Sequence, residues 1–291
     1  MNIWELPEEV AIREVGARDF RRLAMDDRVA VIDALTMAGF ERIEAGSLVP
    51  VGGMPEDDAV GEVMARIERK PGMTYSVMVS NPEQAERALT MDPDELTLLM
   101  SASESHNRWM TGRGMAESLV GFSKICDLAR DQAVTVSALI TASFGCSYEG
   151  RVPRSVVIDL ASRMDNMGIA RVTLSDTVGA ANPAQVAEMV RTVRMTVPMV
   201  HLGLHFQNRR GTALANLVVA VLAGATRFDT AVGGVPGASL TETPGAQGAS
   251  EEVVYCLREM GINTGVDMTK LLEAARMLAA QLPGGLASKV T

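Results

Sequence analysis

Short apolar runs alternate with longer amphipathic stretches along this chain. The runs are rich in β-branched residues and have the length of strands, whereas the stretches carry apolar residues at helical spacing. The pattern predicts strands at residues 10–15, 42–45, 74–79, 95–100, 134–140, 170–174, 200–205 and 226–230. It predicts helices at 27–38, 57–68, 82–89, 115–132, 153–166, from Asn182 onward, and at 212–223, 251–260 and 268–281.

This alternation predicts an α/β fold. Strands that are separated by helices pair in parallel through right-handed crossovers. Repeated over the whole chain, the pattern favours a (β/α)8 TIM barrel with extra C-terminal helices, and we expect one domain over residues 1–291. The Gly- and Pro-rich stretch 233–248 follows the last strand, and a loop of that length, about 16 residues, is usually functional.

Composition excludes several classes of protein. With 291 residues, 47% of them hydrophobic, the chain has enough apolar side chains for a large core. A net charge of −9 and only 4% aromatic residues argue against nucleic acid as a partner. No apolar run is long enough to predict a membrane span, and residues 1–10 lack the layout of a signal peptide. Cys126, Cys146 and Cys256 are widely spaced, as reduced thiols are, so we expect a cytoplasmic protein.

Polar residues follow almost every predicted strand. In a TIM barrel the C-terminal ends of the strands form one common active-site face, so these side chains are expected to converge there. The candidates are Arg18, Asp19, Glu44, Ser47, Ser101, Ser103, Glu104, Ser143, Cys146, Tyr148, Glu149, Ser175, Asp176, His205, Gln207 and Asn208.

His205 and Gln207 form the candidate metal site. Residues two apart on a strand point to the same side, so both can bind one cation, with Asp19 supplying a carboxylate oxygen from across the barrel. Oxygen ligands with an imidazole suit Mg²⁺ or Mn²⁺. The alternative is a hydrogen-bonded interior histidine beside a polar lining residue, and spacing alone favours that alternative.

Other candidates also leave two interpretations open. Arg18 can neutralise an enolate or carboxylate, or it can belong to a surface ion pair. Asp176 can orient a base or a substrate hydroxyl, or it can be a turn or helix-cap residue. Cys146 can be a buried packing residue. Six arginines on or near the same loops can attract an anionic substrate or form a plain surface: Arg108, Arg113, Arg151, Arg154, Arg209 and Arg210.

Seven motifs spread over residues 12–267 are together highly specific, although each alone is weak. They read REVGARD (13–19), AGFERIEAGSLV (38–49), SASESHNR (101–108), FGCSYEGRVP (144–153), LSDTVGAANP (174–183), HFQNRRG with ALAN (205–216) and GINTGVD (261–267). On these motifs the chain resembles the 3-hydroxy-3-methylglutaryl-CoA lyase family, within the metal-dependent barrel lyases and Claisen-type synthases.

The resemblance implies retro-aldol cleavage of a 3-hydroxyacyl-CoA to acetyl-CoA and a keto acid, with Mg²⁺ or Mn²⁺ as cofactor. It implies that Arg18 stabilises the enolate, that Asp19 and His205 bind the metal, and that Glu44 and Asp176 serve the active site. Glu251 is expected close to that site, and a dimer is implied. The residues expected along the substrate are Ser47, Ser143, Cys146, Tyr148 and Asn208.

Departures from the family are concentrated at the positions of its metal ligands and catalytic residues. Gln207 replaces the second metal histidine, and Gln247 falls at or near the metal-binding asparagine. The catalytic cysteine of the glycine-rich loop falls near Ala238 or Ser239, and Phe20 replaces the glycine after Asp19, while Arg22 replaces a glutamine. A glutamine carbonyl can coordinate a hard cation, but we expect it to bind the metal more weakly than the histidine that the family has at this position.

Three hypotheses follow. The first is a divergent metal-dependent carbon–carbon lyase or aldolase acting on a small acyl thioester or hydroxy acid. The second is a relative with different chemistry that no longer needs a firmly held metal. The third is a binding or regulatory barrel without turnover. Retention of Arg18, Asp19, Glu44, Asp176 and His205 disfavours the third, because several buried polar groups facing one cavity are costly without a function. We favour the first.

Overall fold

Eight parallel strands close into a barrel in which each strand pairs with the next and β8 pairs with β1. The structure is a computed structural model that describes residues 11–14, 20, 23–50, 56–169, 171–235 and 246–290. The strands are β1 (Ala11–Glu14), β2 (Arg42–Ser47), β3 (Thr74–Val79), β4 (Glu95–Ser101), β5 (Thr135–Thr141), β6 (Arg171–Asp176), β7 (His201–Phe206) and β8 (Arg227–Thr230). The predicted TIM barrel is confirmed, while its extent as one domain stays a prediction.

Ten helices surround the barrel in the described residues. They are α1 (Met25–Met37), α2 (Val60–Arg66), α3 (Pro82–Leu89), α4 (Glu104–Thr111), α5 (Met115–Asp131), α6 (Arg154–Asn166), α7 (Pro183–Thr196), α8 (Ala213–Leu222), α9 (Ser250–Glu259) and α10 (Met268–Gln281). The helix α4 is not in the predicted set, and Pro153 is the N-cap of α6 rather than its first helical residue. None of the helices within these ranges is both long and apolar enough to cross a bilayer.

The main core lies between the barrel and its helices. Ile32 and Leu35 of α1, for example, are completely buried among the outward-facing strand residues. The extra helix α10 closes the chain against α1, where the Asp267 N–H donates to the Ala38 carbonyl (2.8 Å) and the Gln281 amide donates to Asp27 (3.1 Å). The predicted C-terminal helices thus complete the helical layer around the barrel.

The barrel interior is polar near the N-terminal ends of its strands. The Glu95 carboxylate forms ion pairs with Arg42 and with Arg171 (2.7 Å to the latter) and accepts a hydrogen bond from the Ser137 hydroxyl (2.8 Å). Farther up, a small apolar cluster fills part of the interior and consists of Val49, Met78, Leu99, Met110 and Leu139. Side chains close the interior, as is usual in barrels of eight strands.

A β-bulge in β2 changes the direction of its side chains. Glu44 pairs with Ser76 of β3 and Ser47 pairs with Met78, but the register shifts between Glu44 and Gly46. Because the extra residue resets the alternation, Glu44 and Ser47 face the same side although they are three positions apart. Gly46 faces the helices, where a Cβ atom would lie 2.7 Å from a methyl group of Val60.

Candidate active site

β2 brings two predicted residues to the C-terminal half of the barrel interior. Glu44 and Ser47 are both almost completely buried. The Ser47 hydroxyl accepts a hydrogen bond from the Val49 N–H (3.2 Å), which fixes the oxygen at the start of the following loop. The bulge is therefore the local feature that puts a carboxylate and a hydroxyl of one strand on the same face.

His205 stands near the end of β7 and is buried. It pairs in register with Ser175 of β6, so both residues face the interior. Its Nδ1 atom lies 3.1 Å from the Asp229 carbonyl oxygen. A carbonyl only accepts hydrogen bonds, so Nδ1 carries a proton, and in the neutral form of the imidazole the lone pair is at Nε2. Histidines that bind metals are commonly oriented by such a backbone carbonyl.

Asp176, the next residue after Ser175, faces away from the interior and shapes the loop after β6. Its two carboxylate oxygens accept hydrogen bonds from the Ala180 N–H (2.8 Å) and the Ala181 N–H (3.1 Å). Burial raises the pKa of Asp176 to about 6, against the lowering effect of these N–H groups and of the Arg210 charge. The contacts are those of a turn residue, and a catalytic role for Asp176 stays a prediction.

Glu251, at the start of α9, holds the beginning of the glycine-rich loop. Both carboxylate oxygens accept from the Gly233 N–H, at 2.9 and 3.0 Å. Gly233 has a φ of 69°, a backbone conformation that glycine adopts without strain. Burial raises the pKa of Glu251 to about 7 although backbone N–H groups lower it, and the neighbouring charge of Glu252 raises it further.

Gln207 and Gln247 lie opposite each other in an antiparallel bridge. On either side of the bridge, the Asn208 N–H donates to the Ala246 carbonyl (2.7 Å) and the Gly248 N–H donates to the Phe206 carbonyl (2.9 Å). The end of the glycine-rich stretch is therefore paired with the continuation of β7. This brings together the two glutamines that stand where the resemblance places metal ligands.

Two amide side chains at this bridge have defined contacts. The Gln247 side chain is buried and its Nε2 donates to the Val235 carbonyl (3.2 Å), which directs Oε1 the other way. Asn208 Oδ1 accepts from the Ala213 N–H (3.3 Å) at the start of α8. The Asn208 side chain thus supports a helix, and its predicted contact with substrate stays untested.

The model of the HMGL-like family matches residues 12–278. The chain belongs to the HMGL-like family. It is 36% identical to the hydroxymethylglutaryl-CoA lyase YngG of Bacillus subtilis, over 97% of this chain and 96% of that protein. It is 32% identical to a 3-hydroxy-3-isohexenylglutaryl-CoA/hydroxymethylglutaryl-CoA lyase of Pseudomonas aeruginosa, over 95% of this chain and 94% of that protein.

Solved structures of HMGL-like proteins agree with the fold. The HMG-CoA lyase of Bacillus subtilis has a TM-score of 0.93 at 35% identity, with 98% of each chain covered. An HMG-CoA lyase of Acinetobacter baumannii, in complex with coenzyme A and 3-methylmalate, has a TM-score of 0.91 at 32% identity, with 97% of this chain and 94% of that chain covered. The predicted family and its carbon–carbon lyase class are confirmed.

The loop after β5 of this HMGL-like chain carries three of the predicted substrate residues. The Ser143 hydroxyl donates to the Ile140 carbonyl (2.7 Å). Cys146 forms a small antiparallel bridge with Gly150, and its thiol donates to Ser103 Oγ (3.0 Å). The Tyr148 N–H donates to the Cys146 sulfur (3.3 Å), while the Tyr148 side chain is 38% exposed. Among the three, Tyr148 is the side chain that reaches solvent.

Sequence reasoning gave no role to His106, which lies at the centre of a ring cluster on the same face. It is buried, with Nδ1 2.9 Å from Ser101 Oγ. Its ring stacks on Trp109 with centroids 5.6 Å apart, and the Tyr148 ring lies 6.0 Å from both. The sequence offered a signal for this cluster, because Ser103 is a typical helix-capping residue at the start of α4. His106 and Trp109 are three positions apart in that helix and therefore lie on the same face.

Several predicted residues lie outside the described ranges. Arg18, Asp19, Arg22, Ala238 and Ser239 fall outside the described residues. Phe20 is described and buried. Within the ranges that the structure covers, no group of three or more His, Cys, Asp or Glu side chains is placed to hold a metal ion.

Four of the six loop arginines divide into two sets by their contacts. Arg108, Arg113 and Arg154 form surface ion pairs, with Glu104, with Glu83 and Glu117, and with Glu188. Arg210 instead donates to the Val178 and Gly179 carbonyls (2.9 and 2.7 Å), next to the loop that Asp176 shapes. For the ion-paired arginines, the plain-surface interpretation is the better one.

Proposed function

We propose that the chain is a carbon–carbon lyase that cleaves a 3-hydroxyacyl-CoA by retro-aldol reaction. The substrate's 3-hydroxyl loses its proton, the bond between C2 and C3 breaks, and the electron pair forms the enolate of acetyl-CoA, which is then protonated. The other product is a keto acid. The proposal is supported by the names of the relatives, which are lyases of hydroxymethylglutaryl-CoA, and by coenzyme A in the Acinetobacter baumannii structure.

The observation that carries the proposal is the orientation of His205. Its Nδ1 proton is directed to the Asp229 carbonyl, so in the neutral ring Nε2 is the atom that can bind a cation or accept a proton inside the barrel beside Ser175. We assign Glu44 and Ser47, which face the interior from β2, to the polar end of the substrate. Arg18 is proposed to stabilise the enolate oxygen because a guanidinium offers both charge and donors. Asp176 and Glu251 are proposed to position the loops around them.

We further propose that the site holds Mg²⁺ or Mn²⁺ through Asp19, His205, Gln207 and Gln247. The donor set fits such a cation, since it offers a carboxylate, amide oxygens and one imidazole nitrogen. The buried Gln247 amide, oriented by its bond to Val235, supports this assignment. When bound, the cation would polarise the substrate oxygens.

The substrate contacts are proposed to include Ser143, Cys146, Tyr148 and Asn208, with Tyr148 nearest to solvent. The acyl group is proposed to be a 3-hydroxy-3-alkylglutaryl group. We also propose a cytoplasmic homodimer of single-domain subunits. Light scattering after gel filtration gives the oligomeric state directly.

The decisive experiment is a turnover assay on the purified chain. Hydroxymethylglutaryl-CoA and analogues with longer 3-alkyl groups are incubated with Mg²⁺, with Mn²⁺ or with EDTA, and released acetyl-CoA is measured. Release of acetyl-CoA that depends on the cation supports the proposal. Absence of release from every thioester, with the chain folded by circular dichroism, would refute it.

A second candidate is a relative whose chemistry needs no firmly held metal. It is favoured by Gln207 in place of the family's histidine and by the buried Phe20 next to Asp19. The two candidates differ in the use of His205 Nε2, which either binds a cation or accepts the proton of a substrate hydroxyl. Calorimetric titration of wild type and of Gln207→His with Mn²⁺ distinguishes them. Saturation of wild type at millimolar Mn²⁺ supports the metal enzyme, and binding only by Gln207→His supports the second candidate.

A further inference from the structure

The N-terminal end of the barrel carries basic residues at the start of three consecutive strands. β6 begins with Arg171, β7 with His201 and β8 with Arg227. Arg171 pairs in register with His201, and Arg227 stands two positions before Asp229, so all three lie in the inward-facing register. Arg194 of α7 lies beside them. We call Arg171, Arg194, His201 and Arg227 the basic rim.

Two adjacent cavities open at the basic rim and share His201. One, of about 500 Å³, is lined by Arg171 and His201 together with Arg130. The other, of about 380 Å³, is lined by Arg194, His201 and Arg227. Within the described part of the chain, neither lining contains an aspartate or a glutamate. The volumes lie in the range of small-molecule sites, roughly 300–1,000 Å³.

The charges of the basic rim are only partly compensated. Arg171 is ion-paired with Glu95 (2.7 Å), and the lining residue Arg130 is paired with Asp127 (2.8 Å). Arg194 donates to backbone carbonyls of Ala223 and Gly224, which supply no charge. The Arg227 side chain forms no hydrogen bond or ion pair with any residue that the structure describes.

Such an arrangement is unexpected on a chain of net charge −9. Acidic side chains are abundant, yet two arginines and a histidine converge on one cavity whose described lining residues include no aspartate or glutamate. Concave sites lined by one sign of charge concentrate counter-ions, and guanidinium groups match carboxylates and phosphates in geometry. Two inward-facing carboxylates belong to the same barrel: Glu95, which binds Arg42 and Arg171, and Asp229, which stands two positions after Arg227 on β8.

We propose that the basic rim binds a small polyanion with carboxylate or phosphate groups. Arg194 and Arg227 supply the charge and the donors, and His201 connects the two cavities. The site lies at the end of the barrel opposite the C-terminal ends of the strands, so it is separate from the proposed active site and does not depend on the proposed reaction. A ligand bound there would contact the first residues of β6, β7 and β8.

The test is calorimetric titration of the full chain with pyrophosphate and, separately, with citrate, at an ionic strength held constant with NaCl. We expect a saturable site that Arg227→Gln and Arg194→Gln each weaken at least about tenfold, because each removes a charged donor. Any second site that both variants leave unchanged is assigned to the proposed active site, because a hydroxyglutaryl-CoA substrate also carries carboxylate and phosphate groups. Arg227→Lys, which keeps the charge, is expected to retain most of the affinity. Preference for one titrant identifies the anionic group that the site takes.

Two matched variants serve as controls. Arg163→Gln removes an arginine that is paired with Asp159 on α6, and Arg210→Gln removes one at the opposite end of the barrel. Both should bind like wild type. Binding no stronger than that of chloride, unchanged affinity in Arg227→Gln, or loss of binding in Arg210→Gln alone would each overturn the proposal. Thermal unfolding of every variant excludes misfolding as the cause, and no readout depends on turnover.

Discussion

The two ends of this barrel hold buried carboxylates in different ways. At the N-terminal end, Glu95 is surrounded by two guanidinium groups, from Arg42 and Arg171, and by the Ser137 hydroxyl. At the C-terminal end, Asp176 and Glu251 accept hydrogen bonds from backbone N–H groups. The first arrangement supplies opposite charge, whereas the second supplies mainly dipoles.

The difference explains the titration of the carboxylates at the C-terminal end. Backbone N–H groups lower the pKa of a carboxyl, but burial outweighs them and raises the pKa of Asp176 to about 6 and that of Glu251 to about 7. Both groups therefore change protonation near neutral pH. Perturbed carboxyl groups are common near active sites, and in TIM barrels that site is at the C-terminal end of the strands. Arginine side chains compensate the carboxylate charge at the N-terminal end. The carboxyl groups at the C-terminal end are stabilised mainly by backbone dipoles, and they titrate near neutral pH.

The largest effect is expected at His205. His205→Ala removes the imidazole that the Asp229 carbonyl orients, so kcat/KM for cleavage of the acyl-CoA substrate should fall about 10³-fold, equal to about 4 kcal/mol. Acetyl-CoA release measures the effect. Thermal unfolding should change little in comparison. A variant that retains more than a tenth of wild-type kcat/KM would show that the C-terminal end works without this group.

Glu95→Gln tests the other end. It leaves two partly buried guanidinium groups without their carboxylate, which is expected to lower the free energy of unfolding by about 3 kcal/mol. Urea unfolding measures it. Asp159→Asn, which breaks the exposed pair with Arg163, is the control and should cost less than about 1 kcal/mol. Equal losses in the two variants would remove the contrast between a buried network and a surface pair.

The pH dependence of Glu251 gives the next largest effect. Its folded pKa of about 7 lies above the usual 4.5, so between these pH values the folded chain keeps a proton that the unfolded chain releases. The free energy of unfolding therefore falls as pH rises through this window. Glu251→Gln, which cannot ionise, should resemble wild type near pH 4.5 and be more stable by about 3 kcal/mol above pH 7.

Urea unfolding from pH 4.5 to 8 checks this prediction, with Glu252→Gln as the neighbouring control. Asp176 contributes in the same direction at lower pH, between its usual 3.8 and about 6, in all three proteins. Parallel curves for wild type and Glu251→Gln would show that the backbone N–H groups compensate the buried charge completely.

Ser143→Ala is expected to have the smallest effect. The Ser143 hydroxyl donates to the Ile140 carbonyl, so its loss should lower the free energy of unfolding by about 1 kcal/mol. KM for the acyl-CoA substrate should rise about two- to threefold, because the proposed contact is a single hydroxyl that already bonds to the backbone. An unchanged KM would show that the hydroxyl only supports the loop after β5.

Most of the fold was predictable because the local sequence pattern marks the strands and helices. β3 (Thr74–Val79), α3 (Pro82–Leu89) and α10 (Met268–Gln281) have the predicted bounds. α3, for example, has Asn81 as its cap and Pro82 as its first residue. The short helix α4 was missed because its polar residues were interpreted as a strand end, although Ser103 caps it and Gly112, with a φ of 73°, ends it.

For the site, the sequence predicted only the side-chain directions that follow from alternation along a strand. The inward direction of His205 follows from the spacing on β7, and the structure agrees. The bridge between Gln207 and Gln247 does not follow from local sequence, because it pairs residues on either side of a whole helix and strand. The direction of Asp176 into its own loop was an open alternative, since the same residue type suits a turn and a substrate contact.

The bulge in β2 makes the pairing of that strand as important as the identity of its residues. If β2 kept its length but paired with β3 without the bulge, Gly46 would face the barrel interior and Ser47 would turn toward the helices. Deleting Ala45, the extra residue, would instead keep Glu44 opposite Ser76 and Ser47 opposite Met78, both facing inward. No point substitution at Ser47 reproduces the first change. The bulge therefore decides which side chains of β2 reach the proposed substrate.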